Sequence, residues 1–117
     1  MEHFERFKLQ KGDFLVREGD KSDDLYILLK GCLKVEKKHG QRMIDLGTVL
    51  PGQLVGEMSF IDNEPRSADV KAFKESIVGV IEREKFNIFF NDLPPWFKKL
   101  QEILLKRLRE SNDKLII

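Results

Sequence analysis

A mainly β fold, a roll or barrel of short strands closed by C-terminal helices, follows from three observations on the sequence. Short apolar or alternating runs, each of strand length, fill positions 7 to 81. Gly, Asp and Asn separate them at spacings typical of all-β domains. After Arg83 the apolar period changes from strand-like to helical.

The strand candidates are, in order, Phe14-Leu15-Val16, Leu25 to Leu29, Leu33-Lys34-Val35, Met43-Ile44 with Leu46, Gln53-Leu54-Val55, Ala68 to Phe73 and Ser76 to Ile81. Lys37-Lys38-His39-Gly40-Gln41-Arg42 reads as a polar hairpin tip, with Gly40 free to take positive φ. Cys32 falls within a strand in this reading. Phe86, Phe89 and Phe90 recur at i, i+3, i+4 and predict a helix with one buried face. Leu93-Pro94-Pro95 ends that helix, and the second proline opens the next one. Trp96, Leu100, Ile103, Leu104, Leu108 and Leu115 then form one broad apolar stripe on the last helix. No internal repeat, low-complexity tract or linker is expected.

Composition bounds the function. The 117 residues suffice for one domain with a modest core. Apolar residues make up 41% and charged residues 35%, and the net charge is +1, which argues against a field built to hold a polyanion. No apolar run approaches the roughly 18 residues of a membrane span. The first residues, Met1 to Arg6, are charged and lack a signal-peptide core. A cytoplasmic location without membrane association is the expectation. His3, His39 and the single cysteine, Cys32, offer neither metal spacing nor a nucleophile–base pair, so neither a metal nor an enzyme is expected.

One stretch is richer in chemistry than the rest, Val55 to Val70. It reads as strand, Gly56-Glu57, a short helical turn, a Pro65-Arg66-Ser67-Ala68 corner, and strand again. A glycine lets backbone N–H groups approach an anion, and a helix start aims further N–H groups the same way. Arg66 supplies a planar, permanently charged fork suited to phosphate oxygens. Glu57, nine residues earlier, is an acceptor suited to sugar hydroxyls. From Glu57 to Arg66 the chain carries three acids and one base. A generic anion is therefore repelled, and binding must come from Arg66 and aimed N–H groups in fixed geometry.

Gly56-Glu57 followed by Pro65-Arg66-Ser67-Ala68 resembles the phosphate-binding cassette of the cyclic nucleotide-binding domain family, which includes protein kinase A regulatory subunits, cyclic nucleotide-gated channels and the bacterial catabolite activator. Upstream, Lys11-Gly12-Asp13, Glu18-Gly19-Asp20 and Leu25 to Leu28 running into Lys30-Gly31 resemble that family's glycine-punctuated β-roll. Downstream, Ile77 to Ile81, Glu82 to Phe86 and the basic, Leu-rich last helix fit its closing strand and hinge helices. The likeness runs from about Phe7 to about Leu108. It implies an eight-stranded β-roll, a double-stranded β-helix of jelly-roll type, with an inserted phosphate-binding cassette helix and C-terminal helices. The roll would occupy about 7–82 and the hinge or lid helices about 83–115 of a single domain spanning 1–117.

The resemblance also implies roles. Arg66, which out of context would pair with Glu64 or Asp62, takes the phosphate of a cyclic nucleotide. Glu57, otherwise a helix-dipole cap, takes the ribose 2′-hydroxyl. Gly56 and Ala68 stay small so that backbone can touch the ligand, although any tight turn likes small residues. Ser67 reaches a phosphate oxygen or a purine edge and does not settle the base. Met58 and Ser59 complete the cassette's candidate contacts. Val35, Leu46 and Val55 are candidate pocket walls, although ordinary roll core is the better account of each taken singly. Ser111 and Asn112 match a hydroxyl pair that contacts adenine in the bacterial activator, and a fraying helix end accounts for them as readily.

The expectation is thus a sensor of cAMP, or of cGMP, that relays binding through its C-terminal helices to an effector protein or domain, or to a homodimer through the last helix. Direct nucleic-acid binding is not expected, since no recognition helix is present. A ligand-free interaction module and a sensor of another small anion are the alternatives. Two departures from the family stand out: the helix preceding the roll is short or absent, and the last helix is short for a coiled-coil dimer. The apolar Leu115-Ile116-Ile117 ending predicts either packing or a chain cut from a longer one.

Overall fold

The computed structural model describes residues 5–22, 24–56 and 64–111, apart from the side chains of Phe89, Phe90, Leu105, Leu108, Arg109 and Ser111. Eight strands form in them: β1 (Glu5–Leu9), β2 (Phe14–Val16), β3 (Leu25–Lys30), β4 (Leu33–His39), β5 (Arg42–Val49), β6 (Leu54–Val55), β7 (Asp69–Ala72) and β8 (Ser76–Ile81). Helices α1 (Arg83–Asn91) and α2 (Pro95–Ser111) follow. The fold is mainly β, as expected. The cassette helix expected between β6 and β7 falls at 57–63 and lies outside the described residues.

Two four-stranded antiparallel sheets run in the orders β1-β8-β3-β6 and β2-β7-β4-β5. Only β4 and β5 are both consecutive and paired; every other pairing joins strands distant in sequence, so the chain shuttles between sheets as a roll. The eighth strand, β1, was not among the sequence candidates. Its signal is faint, with Phe7 and Leu9 alternating against charged residues, and its register with β8 (Phe7↔Val78, Leu9↔Ser76) fixes it in place.

One turn recurs three times, where no repeat was expected. In Gln10-Lys11-Gly12-Asp13, Arg17-Glu18-Gly19-Asp20 and Leu50-Pro51-Gly52-Gln53, the fourth N–H donates to the first carbonyl at 2.9, 3.0 and 3.0 Å. The fourth side chain in each accepts from the first N–H, at 2.8, 2.9 and 2.9 Å. Each glycine sits near φ +90°, as the third position of a type II turn demands. Its N–H then bonds across to Ala72, Arg66 or Leu28, and that same residue's N–H donates to the carbonyl of the turn's fourth residue. Three local turns therefore become three tertiary staples.

The core lies between the sheets. Leu9, Leu28, Val55 and Val78 come from one sheet, and Val16, Leu33, Val35, Val49, Val70 and Ala72 from the other. Cys32 sits in the connection between β3 and β4 rather than within a strand, its N–H donating to the buried Ser76 Oγ at 3.1 Å.

The helices behave as Leu93-Pro94-Pro95 dictates. The α1 helix stops at Asn91, and Pro95 opens α2 with Pro94 O accepting from the N–H groups of Phe97 and Lys98. Lys98 Nζ closes the gap by donating to Asn91 O at 3.0 Å, where a cation suits the C-terminal end of α1. Of the expected apolar stripe of α2, Trp96, Leu100, Ile103 and Leu104 are all exposed, while the Leu108 side chain and Leu115 lie outside the described residues.

Candidate functional site

Arg66 is the centre of the site, and it is buried: 3% of its surface is exposed. A buried guanidinium is costly unless its donors are satisfied. Here Nη2 donates to Asp24 O at 2.6 Å and to Ser22 Oγ at 3.4 Å, and Nη1 donates to Gly56 O at 3.3 Å. The Tyr26 ring lies 5.6 Å from the guanidinium carbon and offers its negative face to the cation. Phe7 meets that ring edge-on at 6.3 Å and holds it in place.

Local sequence explains how the arginine reaches this position. Arg66 N–H donates to Asp20 O and Arg66 O accepts from Gly19 N–H, both at 2.8 Å, so the second of the three turns grips its backbone. Asp69 Oδ1 accepts from Glu18 N–H at 2.7 Å and ties the start of β7 to the same turn. The Glu18-Gly19-Asp20 signature of the roll is thus also the mount of the cassette arginine.

Gly56 faces that side chain across the end of β6. Its φ is +87°, and a Cβ there would collide with Arg66 Nη1. The backbone favours glycine, and a side chain there would have to displace the Arg66 guanidinium. Ala68 is buried, two residues beyond Arg66, and Ser67 is half-buried.

Of the candidate walls, Val35 and Val55 belong to the buried core, whereas Leu46 is 43% exposed. Leu46 shares that exposure with Met43 and Ile44 of the same strand. Val35 pairs with Gly47 and Glu36 with Asp45, so Leu46 is the extra residue of a β-bulge. A bulge re-aims its side chain and bends the strand. Beside it, Lys34 Nζ donates to Asp45 Oδ2 at 2.7 Å, and Gly47 N–H donates to Asp45 Oδ1 at 2.9 Å. The hydrogen bond to Lys34, and then that to Gly47, hold the Asp45 carboxyl below its usual range. The same Lys34–Asp45 bond raises the ammonium.

The structure therefore brings Gly56, Arg66, Val35, Val55 and Ala68 into or against the buried interior of the roll and sets Leu46 on its rim. Glu57, Met58, Ser59 and Asn112 lie outside the described residues. Ser111 ends α2. Ser22, Asp24 and Tyr26 were not singled out from sequence as partners of Arg66. A Ser or Asp in a turn carries no local sign of a bond to a residue more than 40 positions away.

Among the described residues no group of His, Cys, Asp and Glu is placed to hold a metal ion, and no helix is long and apolar enough to cross a membrane.

Comparison with known proteins places this geometry. The family model described as a cyclic nucleotide-binding domain matches residues 6–92. The cyclic AMP receptor protein of Thermus thermophilus is 29% identical over 116 residues, which cover 98% of this chain and 54% of that protein. The type II regulatory subunit of cAMP-dependent protein kinase from Drosophila melanogaster is 35% identical over 85 residues, covering 71% and 21%. The EAL enzyme Bd1971 in its cAMP-bound form superposes with a TM-score of 0.73 at 29% identity, covering 92% of this chain and 29% of that one. Its cGMP-bound form gives 0.74 at 27%, covering 94% and 30%. The chain spans about half the length of several curated relatives, 54% and 47% in two of them. With the roll, the glycine turns and the buried arginine in agreement with that match, the chain belongs to the cyclic nucleotide-binding domain family.

Proposed function

We propose that this chain is a single sensory domain that binds a 3′,5′-cyclic nucleotide, cAMP foremost, and passes the signal through α1 and α2. The observation that carries the reading is the burial of Arg66 beside Gly56: a cation fixed by protein oxygens at the end of β6, with backbone too close for any side chain. Such a cation fits a phosphate, whose charged oxygens are better acceptors for a guanidinium than neutral carbonyls. Arg66 takes the phosphate with cassette N–H groups and Ser67; Glu57 takes the ribose. Gly56, Met58, Ser59 and Ala68 line the cassette, and Val35, Leu46 and Val55 meet the apolar parts of the ligand. Ser111 and Asn112 are assigned to the base on the family resemblance alone. Relatives named for cAMP and for cGMP support a cyclic nucleotide as ligand.

Isothermal titration with cAMP, and with cGMP in parallel, tests the reading. Saturable heat that vanishes in Arg66→Ala is the expected result. Removing a charged partner from a buried pair costs about 2–5 kcal/mol. No heat from either nucleotide with folded protein overturns it.

A second reading is favoured by one observation, the exposed apolar face of α2 carrying Trp96, Leu100, Ile103 and Leu104. That face would join two copies of the chain or dock an effector. As a ligand-free contact module, the protein would dimerise without nucleotide, which sedimentation decides.

A further inference from the structure

We propose that Asp24 is a positioning residue that couples the cassette arginine to the start of α1, through two different atoms of one residue. The inference rests on the reading of Arg66 as the phosphate ligand. The Asp24 carbonyl accepts a short hydrogen bond from the Arg66 guanidinium, 2.6 Å from Nη2. Its side chain turns the other way, and Oδ1 accepts from the N–H of Arg83 at 3.3 Å.

That second bond has a definite meaning. Glu82 O accepts from Phe86 N–H at 3.0 Å, which makes Glu82 the cap residue and Arg83 the first helical one. The first N–H groups of a helix have no partner within it. A carboxylate at that end satisfies one of them and meets the positive end of the helix dipole. Asp24 is thus a cap supplied from a loop 59 residues earlier in the chain. The sheet register explains its placement: Leu25, the first residue of β3, pairs with Ile81, the last of β8. Asp24 consequently stands opposite the β8–α1 junction, with its backbone toward Arg66 and its carboxylate toward the helix.

A phosphate offers Arg66 charged acceptors that compete with the Asp24 carbonyl. Redistribution of the guanidinium bonds then alters the hold on the Asp24 backbone, and with it the fit of its carboxylate to the Arg83 N–H. The helix start thereby has different partners with and without the anion, which is the differential contact a population shift requires. Ser22 Oγ, at 3.4 Å from Nη2, is the weaker partner and precedes Asp24 on the same loop.

Amide hydrogen exchange of the 83–91 segment, with and without saturating cAMP, tests the coupling. Without nucleotide, Asp24→Ala removes the cap and leaves the carbonyl, so exchange in the first turn of α1 rises about 2- to 30-fold, the range of a lost helix cap. Asp24→Asn retains an acceptor oxygen and restores protection. In the wild type and Asp24→Asn, cAMP changes α1 exchange; in Asp24→Ala it does not, although titration still finds cAMP affinity within about 5-fold of wild type, below the 5–150-fold range of a typical coupling. An undiminished cAMP response at α1 in Asp24→Ala overturns the proposal. Failure of the site reading shows separately, as absence of heat with wild-type protein. The coupling is then read without nucleotide in Arg66→Lys, which keeps the charge and loses the fork. The link requires faster α1 exchange in Arg66→Lys and no further rise when Asp24→Ala is added, whereas additive effects overturn it.

Discussion

The roll and the helices that follow it are stabilised in different ways. Every described buried apolar side chain lies between Leu9 and Val78, in strands, turns or the arm after Pro65. The α2 helix instead leaves Trp96 68% and Leu104 52% exposed. Within the roll, side chains from two sheets cover one another and three glycine turns tie the chain ends of strands together. Contacts among the described residues of the helices include Asp24 on Arg83 N–H, Lys98 on Asn91 O, and an exposed Lys85–Glu5 pair at 3.7 Å. An exposed ion pair of that kind contributes about 0–1 kcal/mol. The roll accordingly frames Arg66, whose backbone and guanidinium are both held by its turns and strand ends.

Substitutions in the two regions should separate sharply. The largest loss is expected from Leu28→Ala, which empties a fully buried position of β3 and should cost about 2–5 kcal/mol in urea unfolding. If that variant unfolds at the wild-type midpoint, the roll is not the frame described. Next comes Gly56→Ala, where a left-handed backbone and the collision with Arg66 together should cost about 1–3 kcal/mol and weaken nucleotide titration as well. Loss of stability without loss of binding would show that Gly56 serves only its turn.

Asp20→Ala removes the acceptor for Arg17 N–H in the turn that holds Arg66, an effect of about 1 kcal/mol on unfolding. Its backbone carbonyl, which takes Arg66 N–H, survives the change, so binding should fall less than stability. Leu104→Lys, on the open face of α2, should alter the urea midpoint by under about 0.5 kcal/mol. Its effect belongs in sedimentation, where it should abolish any dimer. A large stability loss would instead reveal that α2 packs on the roll.

The smallest effect concerns pH. Asp45 is held low by Lys34 and then by Gly47, so its contribution is present above the ordinary aspartate range and fades as pH falls through its depressed value. Lys34 is raised by the same pair, so its contribution fades only as pH climbs through its elevated value. Between these limits the pair is constant. The midpoint difference between Asp45→Asn and wild type should be flat around neutrality and close in strong acid. Because the pair is exposed, a difference near zero throughout would signify complete solvent screening.

Much of the frame was legible because its signals are short-range. The glycines of Lys11-Gly12-Asp13 and Glu18-Gly19-Asp20, Pro94-Pro95 between the helices and the change of apolar period after Arg83 each constrain only a few neighbours, and the turns and the helix break fall at those positions. The β1 strand was harder to see, since Phe7 and Leu9 alternate over too short a run to distinguish a strand from a charged end. As a set the three turns are hidden in the sequence, because their fourth residues are Asp, Asp and Gln, different letters with the same acceptor oxygen.

By itself the sequence determined that a mainly β roll would form, that the chain turns helical after Arg83 with a break at Pro94-Pro95, and that Arg66 was the cation to watch. These rest on backbone sterics, alternation and a cassette pattern contained within a dozen or so residues. Only the tertiary structure decided that β1 pairs with β8, that β5 carries a bulge at Leu46 and leaves that side chain exposed, and that Trp96, Leu100, Ile103 and Leu104 of α2 remain open. It also decided who holds Arg66. Asp20, Asp24 and Gly56 become its partners through sheet register and burial, and a buried guanidinium takes whatever oxygens the fold sets around it.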